Sequence, residues 1–435
     1  MSQLKTMSCA WIIGLSACAS VNTPPQDASQ AIPVASSGFT DEGIAALETT
    51  MSQYVADQRL YGIATRLVKN GEIVSDVRTG LRELEARAPI EEDTIYRIYS
   101  MTKPITGVAM MMLWEDGAFT LDDPVTNYIP EFEGLRVISG VSEDGSPILV
   151  DASRAPTMRE IMSHTAGFAY GLAGTDVANT AFREQKILES PDLQTFIERV
   201  ADVPLIFEPG TAWAYSASVD VQGYLIEKLS GQNFGEYLET RIFAPLGMVD
   251  TGFFVPEADY SRFSEVYGFD PESGHMVPVP YPQVQFRQST IAMESGGGGL
   301  VSTMNDYTQF CQMLLNGGEL DGTRLLKAET VTLMTTNLLP PEIALSSDGS
   351  ASGEAYPGIG FGLNVGVIFD PVAADTPQAP GSYFWGGAAG TWFWIDPAND
   401  LFFIGMVQIF SRGNTGEPLE LRETSSVLVY DALEN

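Results

Sequence analysis

Apolar residues alternate with polar ones, or run unbroken for short stretches, toward the two ends of the chain, while the middle carries them at helical spacing. Between Gly62 and Gly80 the pattern predicts two strands joined by Lys69-Asn70-Gly71-Glu72, because Asn-Gly supplies the positive φ angles of a tight hairpin. Thr94 to Tyr99 reads as a third strand, and Met101 to Trp114, apolar on nearly all sides, as a buried helix. Helical patterns follow over Met158 to Ser163, Leu193 to Val200 and Ser218 to Leu229. The last keeps Val221, Leu225 and Leu229 on one side and closes at Gly231. Strands return at Phe361 to Phe369, Thr391 to Ile395 and Leu401 to Gln408, and a final helix begins near Pro418. Ser139 to Ala152, with Asp144-Gly145-Ser146-Pro147 at its turn, reads as a surface hairpin. Strands at both ends with helices between them predict an α/β two-lobe fold. One sheet is assembled from distant segments (about 39–105 and 286–435), with a helical lobe (about 106–285) beside it and a cleft between them.

The start of the chain is not expected to be part of that fold. Met7 to Ala17 is an apolar run too short to cross roughly 30 Å of hydrocarbon, which predicts a signal peptide over 1–17. Leu15-Ser16-Ala17-Cys18 resembles the bacterial lipobox, which implies a mature protein beginning at a lipidated Cys18; an ordinary small-residue cleavage site is the alternative. Residues 18–38, rich in Ala, Ser, Pro and Gln, read as a disordered tether before a folded domain at 39–435. The expected location is therefore exported, on the periplasmic side of the envelope, with a lipid anchor to the membrane. Cys311 has no partner, so no disulfide framework is expected.

Composition narrows the function. With 56 acidic and 23 basic side chains the formal charge is −33, which disfavours nucleic acid and adsorption to anionic lipid and leaves small, uncharged molecules as partners. Two histidines, His164 and His275, and no Cys-x-x-Cys or His-Glu-x-x-His pair argue against a metal site, and no cofactor is implied. Gly296-Gly-Gly-Gly299 lacks the Gly-Lys-Ser/Thr of a phosphate loop and reads as a close-packed turn before a helix capped by Ser302 or Thr303. There is no Gly-x-Ser-x-Gly elbow. His164, in Ser163-His-Thr-Ala-Gly167, reads either as a structural hydrogen-bonding group or as a general base.

Ser100-Met101-Thr102-Lys103 offers different chemistry. If Ser100 opens the helix, Lys103 falls three residues on, on the same face, where an amine can take the hydroxyl proton. Pro104 suits the first turn, where N–H groups lack intrahelical partners, and the helix N-terminus favours a developing oxyanion near Ser100. The spacing alone is weakly specific. With six Lys and 33 Ser in the chain, chance supplies on the order of 0.5 such pairs, and Ser2-Gln3-Leu4-Lys5 is one that lies in the signal segment.

Read in order, Ser100-Met-Thr-Lys103, Ile161 to Phe168, Phe207-Glu-Pro-Gly210 leading to Tyr215-Ser-Ala-Ser218, Gly297 to Thr303 and Trp385-Gly-Gly387 resemble the serine β-lactamase and penicillin-binding superfamily. Within it they are most similar to family VIII carboxylesterases, the branch related to class C β-lactamases. The resemblance runs from about residue 45 to the C-terminus and implies a β-lactamase/transpeptidase-like fold, an antiparallel sheet flanked by helices plus an all-α lobe. It implies Ser100 as the acylated nucleophile, Lys103 as its base or the group that tunes Tyr215, and Tyr215 as the proton shuttle. The backbone N–H groups of Ser100 and Ala388 would form the oxyanion hole. Trp385, Gly386 and Gly387, with Phe168 and Tyr170, are expected to bind substrate, and Trp213 is either pocket or core.

Two departures bear on substrate. The lactamase motif Tyr-x-Asn ends here in Ala217, and the Lys-Thr-Gly whose lysine pairs with a substrate carboxylate is Trp385-Gly386-Gly387. An indole offers one N–H and an apolar face but no charge, so a neutral small-molecule ester is favoured over a β-lactam or a peptide terminus. The expected function is a serine carboxylesterase acting on short-chain acyl esters through an acyl-enzyme. The alternatives are a β-lactamase or D-alanyl-D-alanine carboxypeptidase, an acyltransferase or amide hydrolase, and a non-catalytic cell-envelope binding protein.

Overall fold

The computed structural model describes residues 38–434 except 173, 281–285, 289–292, 347–348 and 411–418. The expected signal peptide, Cys18 and most of the tether lie outside the described residues, as does Pro418.

The chain enters through helix α1 (Asp41–Ala56), capped by Thr40, whose side chain accepts the Gly43 N–H. Strands β1 (Gly62–Lys69), β2 (Glu72–Glu83) and β3 (Ala88–Pro89) follow, with Asn70 (φ 51°) and Gly71 (φ 76°) at the expected hairpin turn. Next are the short strand β4 (Ile95–Arg97) and the buried helix α2 (Thr102–Glu115). The hairpin β5 (Arg136–Val141) and β6 (Pro147–Asp151) forms where the sequence predicts it. Helices α3 (Met158–Met162), α4 (Val177–Glu184), α5 (Leu193–Ala201) and α6 (Ser218–Ser230) build the helical lobe. A second hairpin, β7 (Tyr267–Asp270) and β8 (His275–Pro278), precedes β9 (Val301–Thr303) and helix α7 (Met304–Leu315), the latter capped by Thr303. The C-terminal part supplies β10 (Ile359–Phe361), β11 (Gly366–Ile368), β12 (Tyr383–Gly386), β13 (Trp392–Asp396), β14 (Leu401–Met406), β15 (Ile409–Phe410) and helix α8 (Leu421–Ala432).

The main sheet has eight strands in the order β10-β11-β12-β13-β14-β1-β2-β3, every pair antiparallel. N-terminal β1 is central because it pairs with β14, joining the two ends of the chain. Alternate residues of the central strands enter different cores. Ile63, Leu67, Trp394 and Phe403 pack with Leu47 and Met51 of α1 and Val429 of α8, while Ala64, Val68, Phe393 and Phe402 pack with Phe310 and Leu314 of α7. Helices cover both faces, which explains why β13 and β14 read as unbroken apolar runs. The result is the β-lactamase/transpeptidase-like fold. No helix among the described residues is long and apolar enough to cross a membrane.

Four local expectations change. Thr94 to Tyr99 does not join the main sheet; β4 pairs with β9, some two hundred residues away in sequence. Phe361 to Phe369 is not one strand but the end of β10, a tight turn and β11, because Asn364 takes a left-handed conformation (φ 67°) that reverses the chain. Helix α1 had no counterpart in the pattern reading. The stretch expected to be helical between 106 and 285 also holds the β7–β8 hairpin, and β7 pairs in parallel with the C-terminal β15.

Candidate active site

Ser100 lies in a 3-10 turn (Tyr99–Met101) that runs directly into α2, and Tyr99 before it adopts a left-handed φ of 41°. Such a conformation costs a non-glycine residue of order 1 kcal/mol or more and is sustained by packing. Here the Tyr99 ring meets Phe286 edge-on at 5.5 Å and Phe410 at 5.6 Å. Three residues on, Lys103 is fully buried, and its Nζ lies 3.3 Å from Ser100 Oγ, 3.2 Å from Tyr170 OH and 2.6 Å from the Gly297 carbonyl. Removing an amine from water is costly unless its hydrogen-bonding capacity is satisfied, and these three polar partners supply that.

The glycine loop 296–299 is stitched to the same helix. Thr106 Oγ1 donates to the Gly296 carbonyl at 2.9 Å, and the Leu300 N–H donates to Thr102 Oγ1 at 3.1 Å. The loop is a close-packed turn, as its sequence suggests. A Cβ on Gly297 would fall 2.6 Å from both Asp220 Oδ2 and Tyr170 OH, closer than side-chain carbons approach oxygen.

Tyr170 and Tyr215 arrive on two segments held side by side by backbone hydrogen bonds. Ala214 N–H donates to the His164 carbonyl and Ala217 N–H to the Ala169 carbonyl, both at 3.1 Å. The side-chain oxygen of buried Asn179 accepts the N–H groups of Tyr170 and Gly171. The two phenol rings meet edge-on at 5.4 Å, and Lys103 Nζ sits 4.4 Å from the Tyr215 ring centroid. The phenol hydrogen-bonded to the lysine is therefore Tyr170, while Tyr215 presents its ring face. Burial, reinforced by Asp220 and Tyr215, pushes the Tyr170 phenol well above its ordinary range, so it keeps its proton.

Trp385 closes the aromatic wall 5.6 Å from Tyr215. Gly386 ends β12. Gly387 presses against the chain leading to Ser100, where a Cβ would lie 2.4 Å from the Ile98 carbonyl. Ala388 sits exposed on the turn between β12 and β13.

His164 is buried with a left-handed φ of 60°; its Nδ1 accepts the Ser216 N–H at 3.1 Å and lies 2.9 Å from Ser216 Oγ. Burial, and then the Lys103 charge, hold its pKa well below the ordinary histidine value. It touches neither Ser100 nor Lys103 by hydrogen bond and serves as the structural group of the two readings. Phe168, expected in the pocket, is instead core: it is 2% exposed and packs on Phe132 at 5.1 Å, because the residue two before Tyr170 points into the helical lobe. Trp213 is likewise buried, stacked 6.4 Å from Tyr215.

Sequence reasoning missed Asp220. It is fully buried on α6, and its Oδ1 accepts from Ser295 Oγ and, at 3.1 Å, from the Gly297 N–H. Its Oδ2 has no hydrogen-bond partner among the described residues. Burial raises its pKa, with Lys103 and the two donors pulling it back. An acid flanked by Val219 and Val221 near the start of an apolar helix was the only signal in the chain.

A doubly covered antiparallel sheet beside a helical lobe, with Ser-x-x-Lys at the start of the buried helix, defines the serine hydrolases of the β-lactamase and penicillin-binding superfamily. The chain belongs to the beta-lactamase family, whose model matches residues 47–424. It is 33% identical over 357 residues to an uncharacterised protein of Mycobacterium tuberculosis, covering 80% of this chain and 86% of that one. It is 31% identical over 392 residues to esterase EstB of Burkholderia gladioli, covering 86% and 92%. In structure it is similar to EstCE1, described as a hydrolase with promiscuous acyltransferase activity, with a TM-score of 0.72 at 24% identity over 91% of this chain and 99% of that one.

Proposed function

We propose that this protein is a serine carboxylesterase that cleaves neutral, short-chain acyl esters through an acyl-enzyme on Ser100. The observation that carries the reading is the Lys103 amine, buried against Ser100 Oγ, Tyr170 OH and the Gly297 carbonyl. In this reading Ser100 Oγ attacks the ester carbonyl as its proton passes to Lys103. The tetrahedral oxyanion is held by the N–H groups of Ser100 and Ala388, each donor contributing about 3 kcal/mol. Collapse expels the alcohol, which takes the proton. Water then attacks the acyl-enzyme, returning the acid and free Ser100. The family resemblance supports Tyr215, whose ring face lies against the amine, as the residue whose hydroxyl hands the proton onward to the leaving alcohol.

Trp385 in place of a cation supports neutral esters over anionic β-lactams, and the kinship with an enzyme named as an esterase supports the same substrate class. The test is hydrolysis of p-nitrophenyl acetate and butyrate: Ser100→Ala, Lys103→Ala and Tyr215→Phe are each expected to lose most of the rate. Full activity in Ser100→Ala would overturn the reading.

A further inference from the structure

Resting on the acyl-enzyme reading, we propose that Asp220 is a positioning residue that sets the direction of the Lys103 amine through the Gly296–Gly299 loop. Asp220 Oδ1 holds two donors, the Gly297 N–H on that loop and the hydroxyl of Ser295 that leads into it. The carbonyl of the same Gly297 accepts from Lys103 Nζ at 2.6 Å. A carbonyl carries no proton, so one N–H of the lysine is committed there whether the amine is charged or neutral. A neutral amine has one N–H and one lone pair left, to be divided between Ser100 and Tyr170, and either hydroxyl can donate or accept.

The second oxygen of Asp220, unpartnered, crowds the same side of Gly297 as the Tyr170 hydroxyl. A buried carboxylate with an empty lone pair costs stability, which is accounted for if its role is to orient the nucleophile's base. The groups facing this pair are Lys103 and Ser100 from α2 and its leading turn, Tyr170 and His164 from the 164–170 segment, Tyr215 before α6, and Ser295 from the loop.

The experiment is the time course of phosphonylation by a fluorophosphonate, in which a serine O–P bond forms and fluoride departs with the serine proton. The endpoint counts folded, competent sites, and the rate constant reports the nucleophile. Asp220→Ala is expected to lower the rate constant at least 30-fold without lowering the endpoint per folded chain. Asp220→Asn, whose amide oxygen still accepts from Ser295 and Gly297, should recover most of that rate. Ser295→Ala, which leaves the carboxylate in place, should slow labelling several-fold and provides the test if Asp220→Ala does not fold. Wild-type rate constants in Asp220→Ala or Ser295→Ala, or an Asp220→Asn variant as slow as Asp220→Ala, would overturn the proposal. Failure of the unsubstituted chain to label would overturn the acyl-enzyme reading itself, and this inference with it.

Discussion

The Lys103 Nζ donates to the Gly297 carbonyl at 2.6 Å, the shortest of its three polar contacts. The reactive lysine is thus aimed by a backbone group some two hundred residues away, and the local geometry of that loop matters as much as the Ser-x-x-Lys spacing. Gly297→Ala would place a Cβ 2.6 Å from Asp220 Oδ2 and Tyr170 OH and force the loop to move. The expected outcome is a loss in kcat of about 100-fold, a misalignment of about 1 Å being enough, with a native circular dichroism spectrum. Activity of the Gly297→Ala variant within twofold of wild type on p-nitrophenyl butyrate would show that the carbonyl does not aim the amine.

Trp385 faces Tyr215 at 5.6 Å where the related lactamase motif carries lysine. Trp385→Lys restores a cation beside the site and removes an apolar wall. On nitrocefin or a D-alanyl peptide, both carboxylates, KM should fall about tenfold, the effect of one added ion pair of about 1.4 kcal/mol. On neutral acetate esters kcat/KM should fall instead. Parallel changes on both substrate types would detach Trp385 from charge selection.

Asn364 and Gln222 form a fully buried amide pair, with N–H···O distances of 2.6 and 3.0 Å in the two directions, tying the β10–β11 turn to α6. Asn364→Ala removes both bonds and puts alanine at φ 67°, so a destabilisation of about 2–4 kcal/mol is expected in urea unfolding. Asn364→Gly, which tolerates that φ, should lose less. Equal losses would assign the whole effect to hydrogen bonding.

Much of this architecture was legible because it rests on local rules. Asn70-Gly71 dictates a hairpin, and unbroken apolar runs such as Leu401 to Met406 mark strands covered on both faces. Ser100 and Lys103 share one helical face. What was not legible depends on pairings across long separations. The partner of Ile95–Arg97 is a strand that exists only because the glycine loop delivers Val301–Thr303 to it. Phe168 and Tyr170, two positions apart in an irregular segment, reach a core and an active site respectively, and no periodicity orders them. Helix α1 does show Leu47, Met51 and Tyr54 at helical spacing, but that stripe is narrow beside the strand signals that follow it.

His164 provides a pH test of the structure as a whole. Its folded pKa is depressed, so the unfolded chain binds a proton more readily, and stability present above the unfolded value of about 6.5 is lost as pH falls below it. The loss should approach about 1.4 kcal/mol per pH unit in urea titrations between pH 6.5 and 5.5. His164→Asn, which suits the left-handed φ, should remove this part of the slope. An unchanged slope in the variant would mean the imidazole is protonated in the native state.

The central claim is that Ser100 carries the acyl group. Acid-quenching the protein during turnover of p-nitrophenyl butyrate and mapping peptides by mass spectrometry tests it most directly. The account predicts a butyryl adduct on the peptide containing Ser100, absent in Ser100→Ala and persisting longer in Tyr215→Phe. Steady turnover with no adduct on Ser100, or an adduct on another residue, would contradict it.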